Sequence, residues 1–367
     1  MEIGIIGLST VGKSTLFNIV TKNFVDTGFA AANSGPNIGV AKVPDERLIW
    51  LHNKFNPKKT THATINFVDV AGISQNDSKN ESFDGKTLSA LKAVDALIHV
   101  VRLFDDPAIP FAQETINPAR DIATVENELL LSDMQITENR ISRLEQDIAR
   151  NRNRKEAEQE LPLLKRIYEH LSSMLPLRTL EFNDDELKVI KGYTLLTLKP
   201  MIYAFNMGED DEFASDMVEG AVVKEENDML FINDTPTIVF KGKIEEEIAK
   251  LDEEEVAEFL SAMDIAEPAA ARLIRTAYYA LDLISFFTVG EDECRAWTTV
   301  KGDTAPMAAG RIHSDLERGF IRAECFSYDD LYRLGSVNAI KDAGLFRLEG
   351  KTHIVADGEI LNIRFNV

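Results

Sequence analysis

Nine residues near the start of the chain, Gly7-Leu8-Ser9-Thr10-Val11-Gly12-Lys13-Ser14-Thr15, restrict its fold more than any other segment. They match the phosphate-loop pattern G-x-x-x-x-G-K-[ST] and lie between the apolar run Ile3 to Ile6 and a helical stretch from Gly12 through Lys22. A strand before and a helix after are the context in which that spacing does chemistry. The glycines let the backbone curl so that several N–H groups face an anion, and the helix N-terminus adds its positive end. Lys13 then neutralises β- and γ-phosphate oxygens, and Ser14 offers its hydroxyl to Mg²⁺.

A second element belongs with the first. Phe67-Val68-Asp69-Val70-Ala71-Gly72 is a strand pattern ending in Asp-x-x-Gly. Asp69 is placed to hold the magnesium shell, and the Gly72 N–H to sense a γ-phosphate. The residue after that glycine is Ile73, where many GTPases carry a glutamine that orients the attacking water. Isoleucine can neither donate nor accept a hydrogen bond, so hydrolysis needs another device.

The base preference is read from Asn206-Met207-Gly208-Glu209, which follows the strand candidate Met201 to Phe205. Guanine-specific relatives show Asn-Lys-x-Asp, whose aspartate accepts from guanine N1–H and N2–H₂. Glutamate displaces that carboxylate by one methylene, and Asn206 can instead pair with adenine N6 and N7. ATP is therefore the expected ligand, with Asn206, Met207 and Glu209 at the base and Gly7 through Thr15 at the phosphates.

The chain has 367 residues, of which 44% are hydrophobic and 28% charged, a globular composition too long for one core. Short apolar runs alternate with helical stretches up to about Arg102, as in an α/β sheet with crossover helices. From Pro118 to Leu180, Ile141, Leu144 and Ile148, then Leu164, Ile167 and Leu171, repeat at helical spacing amid dense charge. This pattern predicts an antiparallel helical hairpin turning near Asn151 to Lys155, before the α/β pattern resumes at Met201 to Phe205 and Thr237 to Phe240. From about Leu283 the glycine-rich texture with short strands predicts a separate small α+β domain. The expected division is residues 1–118 and 198–280 for nucleotide binding, 119–197 for the inserted arm and 283–366 for the last domain.

No apolar run reaches membrane-spanning length, and no leader pattern precedes the first strand, so a cytoplasmic protein is expected. Cys294 and Cys325 form neither a disulfide framework nor a metal-ligand spacing. A net charge of −21 opposes general nucleic-acid binding, leaving only local contacts. Arg140, Arg143, Arg150, Arg152, Arg154 and Lys155 gather near the presumed hairpin tip and read either as a phosphate-backbone contact or as a solvated face. His99, His313, Trp297 and Phe320 read as structural.

Over nearly its whole length the chain resembles the Obg-like ATPases of the YchF type. The resemblance is carried by the phosphate loop followed by Leu16-Phe17-Asn18, by Pro36 to Val40 through Val43-Pro44-Asp45, and by Phe67 to Gly72. His99 to Arg102 and Asn206 to Glu209 add to it. Near the end, Phe286-Phe287-Thr288, Arg295 to Thr298, Ala305-Pro306, Ala308 to Gly310, Ile312-His313 and Gly319 to Ile321 are similar to the family's TGS domain, a small β-grasp. Glu349 to Lys351 and Phe365 to Val367 fit it as well. The resemblance implies a G-type P-loop NTPase fold with an inserted helical arm and a C-terminal TGS domain, an ATP preference with Mg²⁺, and arm and TGS surfaces that face the ribosome.

The departures from the family pattern cluster around hydrolysis. Asn33 stands where a magnesium-reaching threonine is expected, and Asn76, Asn80, Ser82 and Asp84 stand for second-switch glycines. Phe111 stands for a histidine linked to catalysis, and Lys241-Gly242-Lys243 for a Ser-Ala-Lys type sequence. Slow or partner-stimulated ATPase activity is the resulting expectation. A hydrolysis-deficient nucleotide-bound scaffold and a GTP-binding GTPase are the alternatives.

Overall fold

A computed structural model describes residues 1–22, 37–70, 83–111 and 115–366. The chain folds into two compact units, Met1–Gly39 with Asn66–Arg272, and Val40–Ile65 with Leu273–Val367.

The chain begins with β1 (Glu2–Ile6) and α1 (Lys13–Thr21), then runs through β2 (Asn37–Lys42), α2 (Glu46–Phe55), β3 (Lys59–Thr61) and β4 (Thr64–Asp69). It continues with α3 (Gly85–Ala93), β5 (Ala96–Arg102), the long α4 (Pro118–Ala149), α5 (Arg154–Ser172) and α6 (Asp184–Ile190). After β6 (Met201–Asn206) come β7 (Val223–Glu226), β8 (Met229–Ile232), β9 (Thr235–Phe240), α7 (Gly242–Lys250), α8 (Glu253–Ala262) and α9 (Ala269–Ala280).

The sheet built on the first unit has the order β2-β4-β1-β5-β6-β9-β8-β7. β1 pairs in parallel with β4 and β5, β5 with β6, and β6 with β9. Every residue of β5 and of β6 is buried, as expected of parallel strands covered on both faces. The far edge is antiparallel, where β7, β8 and β9 form a meander. Its two turns are the Asn-Asp pairs Asn227-Asp228 and Asn233-Asp234, all four at positive φ. Two-residue turns of this hand match the twist of the strands they join.

Within the same unit α4 and α5 form the predicted antiparallel hairpin. Its core holds Leu130, Leu144, Ala157, Leu164, Ile167 and Leu171, with Ile141 and Ile148 packed against it. The turn contains no glycine, and Asn151 and Asn153 take the left-handed conformation in its place. The buried Asp133 carboxylate of α4 accepts from the Leu196 and Thr197 N–H groups at 2.9 and 2.7 Å, anchoring the returning chain ahead of β6.

The second unit contains β10 (Leu283–Val289), β11 (Glu293–Val300), α10 (Ala305–Ile312), α11 (Ser314–Arg318) and β12 (Phe320–Ser327). It ends with α12 (Tyr328–Leu334), α13 (Val337–Asp342), β13 (Arg347–Glu349) and β14 (Glu359–Phe365). A β10–β11 hairpin, a helical crossover and a final strand parallel to β10 give the β-grasp arrangement. The core includes Phe286, Ala305, Ala308, Ala309, Phe320, Ala323, Cys325 and Leu361.

The boundary between units differs from the one anticipated. Residues 40–65, read as part of the nucleotide-binding stretch, group with the C-terminal unit, and β3 pairs in parallel with β11 at the edge of its sheet. A strand of three residues carries no readable alternation, so nothing in its sequence announced that pairing.

Candidate nucleotide-binding site

The loop between β1 and α1 leaves ordinary backbone space at Gly7 (φ +146°), Thr10 (φ +61°) and Gly12 (φ +102°). A Cβ on Gly7 would stand 2.5 Å from the Val100 carbonyl oxygen, and one on Gly12 2.3 Å from Asn206 Nδ2. Glycine is therefore a steric requirement at both positions, in addition to the conformational one.

Lys13 begins α1 and is 9% exposed. Its ammonium donates to the carbonyl oxygens of Leu8 at 2.6 Å and Gly7 at 3.2 Å, lying across its own loop. Burial pulls its pKa down to about 8, and the Asp69 carboxylate opposes that shift. An anion in the loop would relieve the cost of keeping this charge out of water.

Ser14 Oγ donates to Asp69 Oδ2 at 2.9 Å. The contact follows from topology, since β1 and β4 are parallel neighbours with Ile5 opposite Asp69, which brings the end of β4 beside the first turn of α1. Burial raises the Asp69 pKa, while the Ser14 hydrogen bond and Lys13 hold it down. A hydroxyl and a carboxylate oxygen meeting at one point are the donor types that a hard dication takes, so the pair fits Mg²⁺.

On the base side, the Asn206 amide is engaged. Nδ2 donates to the Val11 carbonyl at 3.0 Å, and Oδ1 accepts from the Gly242 N–H at 3.1 Å. The residue is 5% exposed. The amide expected to pair with adenine is thus occupied in the free protein, where it ties β6 to the phosphate loop and to the start of α7. The Met207 N–H donates to Phe240 O at 2.9 Å. Glu209 is exposed, with its carboxylate 3.8 Å from Lys243 Nζ and its carbonyl accepting from Lys241 Nζ at 2.6 Å. Lys243 also reaches Asp106 at 3.1 Å.

Of the remaining loop residues, Leu8 and Val11 are buried, Ser9 and Thr15 half-buried and Thr10 exposed. The Thr10 hydroxyl donates to Pro110 O at 2.8 Å. Gly72, Asn33, Ile73 and residues 74–82 of the second switch lie outside the described residues. Asp84, the last of the glycine replacements, caps α3 by accepting from the Thr87 N–H at 2.7 Å.

Sequence reasoning missed the organiser of the loop after β5. Arg102 is buried and donates to the carbonyls of Phe104 at 3.0 Å and Ile109 at 3.3 Å. Its guanidinium lies 4.1 Å from the Phe104 ring centre and 4.8 Å from that of Phe111. Phe111, at the position where the family resemblance implies a catalytic histidine, is thus one wall of a cation–π clamp. An arginine closing an apolar strand, followed within ten residues by two phenylalanines, was the available signal.

His99 is wholly buried on β5, and neither ring nitrogen has a hydrogen-bond partner among the described residues. The Tyr203 ring lies 5.9 Å away and edge-on. Burial pulls the His99 pKa down to about 3, with the charges of Lys13 and Arg178 acting in the same direction. Trp297 stacks on Phe286, and His313 accepts from the Asp315 N–H at the start of α11.

At the hairpin tip, Arg140 is held by Glu160 through bonds of 2.9 and 2.7 Å, and Arg154 by Glu158 at 2.7 Å. Arg143, Arg150, Arg152 and Lys155 are exposed and have no carboxylate partner among the described residues.

A family described as a 50S ribosome-binding GTPase matches residues 2–140. The YchF-type GTPase C-terminal family, described as a protein of unknown function, matches residues 283–366. The chain is 41% identical to the ribosome-binding ATPase YchF of Bacillus subtilis, covering 99% of each. It is 37% identical to the protein of the same name in Escherichia coli O157:H7, again over 99% of each. The structure of the Schizosaccharomyces pombe YchF GTPase superposes with a TM-score of 0.84 at 31% identity, covering 99% of this chain and 97% of that one.

Proposed function

This chain belongs to the YchF family, and from that premise we propose that it is an ATP-binding P-loop switch protein that acts on the ribosome. The observation that carries the reading is the buried Lys13 ammonium lying across a loop whose two glycines leave no room for a Cβ. The Bacillus subtilis relative is named a ribosome-binding ATPase, which supports ATP as the nucleotide and the ribosome as the partner.

In this reading the N–H groups of residues 7–15 bind the phosphates and Lys13 trades its carbonyl contacts for phosphate oxygens. Ser14 and Asp69 hold Mg²⁺, which when bound supplies positive charge to the phosphate oxygens. Asn206 keeps the phosphate loop seated. Base discrimination falls to the rim formed by Met207 to Glu209 with Lys241 and Lys243. The switch segments around Asn33 and Gly72 report the γ-phosphate, and the helical arm and the β-grasp unit present that state to the ribosome.

A second reading, a nucleotide-occupied scaffold with little hydrolysis, is favoured by one observation. Phe111 is packed against Arg102 and offers no group that can move a proton.

Parallel ATP and GTP titrations of wild type and Lys13→Ala, with single-turnover hydrolysis and ribosome co-sedimentation, test both. Tighter ATP binding that is lost in Lys13→Ala, with nucleotide-dependent co-sedimentation, is the expected result. Equal or tighter GTP binding sinks the ATP assignment, and no turnover with ribosomes present selects the scaffold.

A further inference from the structure

Far from the phosphate loop in sequence, the β-grasp unit gathers a thiol, an imidazole and a carboxylate at one point. Cys325 lies on β12, Glu359 opens β14, and His353 sits in the loop before β14. Cys325 and Glu359 are buried, and His353 is half-buried. One ligand atom from each lies within 4.8 Å of the other two.

We propose that Cys325, His353 and Glu359 form a divalent-cation site of the zinc class. The donor set is one soft sulfur, one imidazole nitrogen and one carboxylate oxygen, the combination that Zn²⁺ accepts in tetrahedral coordination, with the remaining position left to water.

The surroundings supply the supporting contacts that metal ligands need. Glu359 Oε1 accepts from Arg347 Nη2 at 2.6 Å, and Oε2 accepts from the Ala356 N–H at 3.2 Å. The His353 backbone is fixed, since its carbonyl accepts from the Ala305 N–H at 2.8 Å and its N–H donates to Gly350 O at 3.2 Å. Its Nε2 lies 2.9 Å from Glu359 Oε2, while Nδ1 faces the Glu349 carboxylate at 4.0 Å. In the metal-free protein the Nε2–H donates to the Glu359 carboxylate; ligation would move that proton to Nδ1, on the side of Glu349, and free the Nε2 lone pair for the cation.

Without metal, the Cys325 sulfur is a buried thiol beside the Glu359 carboxylate. Metal binding breaks that S–H bond, forms the metal–sulfur bond and releases one proton to solvent, while His353 ligates in its neutral form. Cys294, the other cysteine, is buried and lies in no such cluster among the described residues.

Cobalt(II) titration of the full chain in magnesium-free buffer tests the site, because only a thiolate ligand gives a sulfur-to-cobalt band in the near ultraviolet. Cobalt held by Ser14 and Asp69 would have oxygen donors and no such band. The expected result is a sulfur band saturating at a single equivalent and bleached by added zinc. It should be abolished in Cys325→Ala and retained in Cys294→Ala. His353→Gln, at a half-exposed loop position, should weaken binding by at least about tenfold and keeps the test decisive if Cys325→Ala fails to fold. Absence of the band in wild type, its survival in Cys325→Ala, or unchanged affinity in His353→Gln would overturn the proposal.

Discussion

Asn206 Nδ2 donates to the carbonyl oxygen of Val11 across 3.0 Å, joining the end of one sheet strand to the middle of the phosphate loop 195 positions earlier in the chain. The same amide accepts from the Gly242 N–H, so one side chain fastens three separate segments. An aspartate here would turn an oxygen toward the Val11 carbonyl in place of a donor. We therefore predict that Asn206→Asp and Asn206→Ala weaken ATP and GTP binding alike. The loss of a buried bond and the exposure of its partner cost about 1–3 kcal/mol. A fall confined to ATP, in paired titrations, would return Asn206 to the role of base reader.

Lys13 gives nucleotide binding a pH dependence. In the free protein its ammonium loses its proton near pH 8, whereas bound phosphate favours the charged form. Affinity should be flat below that pH and fall by up to about tenfold per unit above it, with proton uptake on binding. Calorimetry at pH 7 and 9 in buffers of different ionisation enthalpy measures both. Lys13→Met should bind weakly with no such slope. The ligand-free wild type should also gain stability from pH 8 toward 10.5, where the unfolded chain holds the extra proton.

His99 predicts sensitivity to acid. Its folded pKa, about 3, lies below the ordinary 6.5, so between these values the unfolded chain binds a proton that the folded one does not. Stability must then fall as pH drops through this window, by about 1.4 kcal/mol per unit well below 6.5. Denaturant melts at pH 7 and 5 should show a smaller loss for His99→Phe than for wild type, because phenylalanine takes up no proton. Equal losses would mean that other groups set the acid limit.

The hairpin tip should matter for ribosome association and little for folding. Arg150 and Arg152 are exposed without carboxylate partners among the described residues, and Arg154 makes only a local pair with Glu158. Replacing all three with glutamate should change stability by less than about 1 kcal/mol. It should abolish or sharply reduce co-sedimentation with ribosomes. Unchanged co-sedimentation would show this face to be merely solvated.

The elements that were legible in the sequence share a physical reason. β5 and β6 are buried on both faces and read as largely apolar runs, broken in β5 by His99, and the loop before α1 carries the glycine and lysine spacing of a phosphate loop between a strand and a helix. The arm was legible because Leu144, Leu164, Ile167 and Leu171 must face one seam. β7 and β8 were not, because β7 is largely exposed and the turn residues are Asn-Asp, without the glycine that usually marks such a turn. Asn206 is the instructive case. Residue type and position were both read, but its hydrogen bonds go to Val11 and Gly242, which only the fold brings within reach. The Arg102 clamp left a signal in Arg102, Phe104 and Phe111, but the carbonyls of Phe104 and Ile109 that it gathers are placed only by the fold.

Residues 40–65 belong structurally to a unit whose remaining parts begin only at Leu273. During synthesis they emerge roughly 200 residues before their partners, a wait of about 10–40 s at ordinary elongation rates. For that interval Leu48, Leu51 and the pairing edge of β3 have no native cover, although β1, α1 and β5 can already assemble. The β-grasp unit is consequently completed last, so a product truncated before Leu273 would carry a nucleotide loop but leave an open seam. Such a seam is what chaperones and proteases recognise, and it would mark incomplete chains for removal.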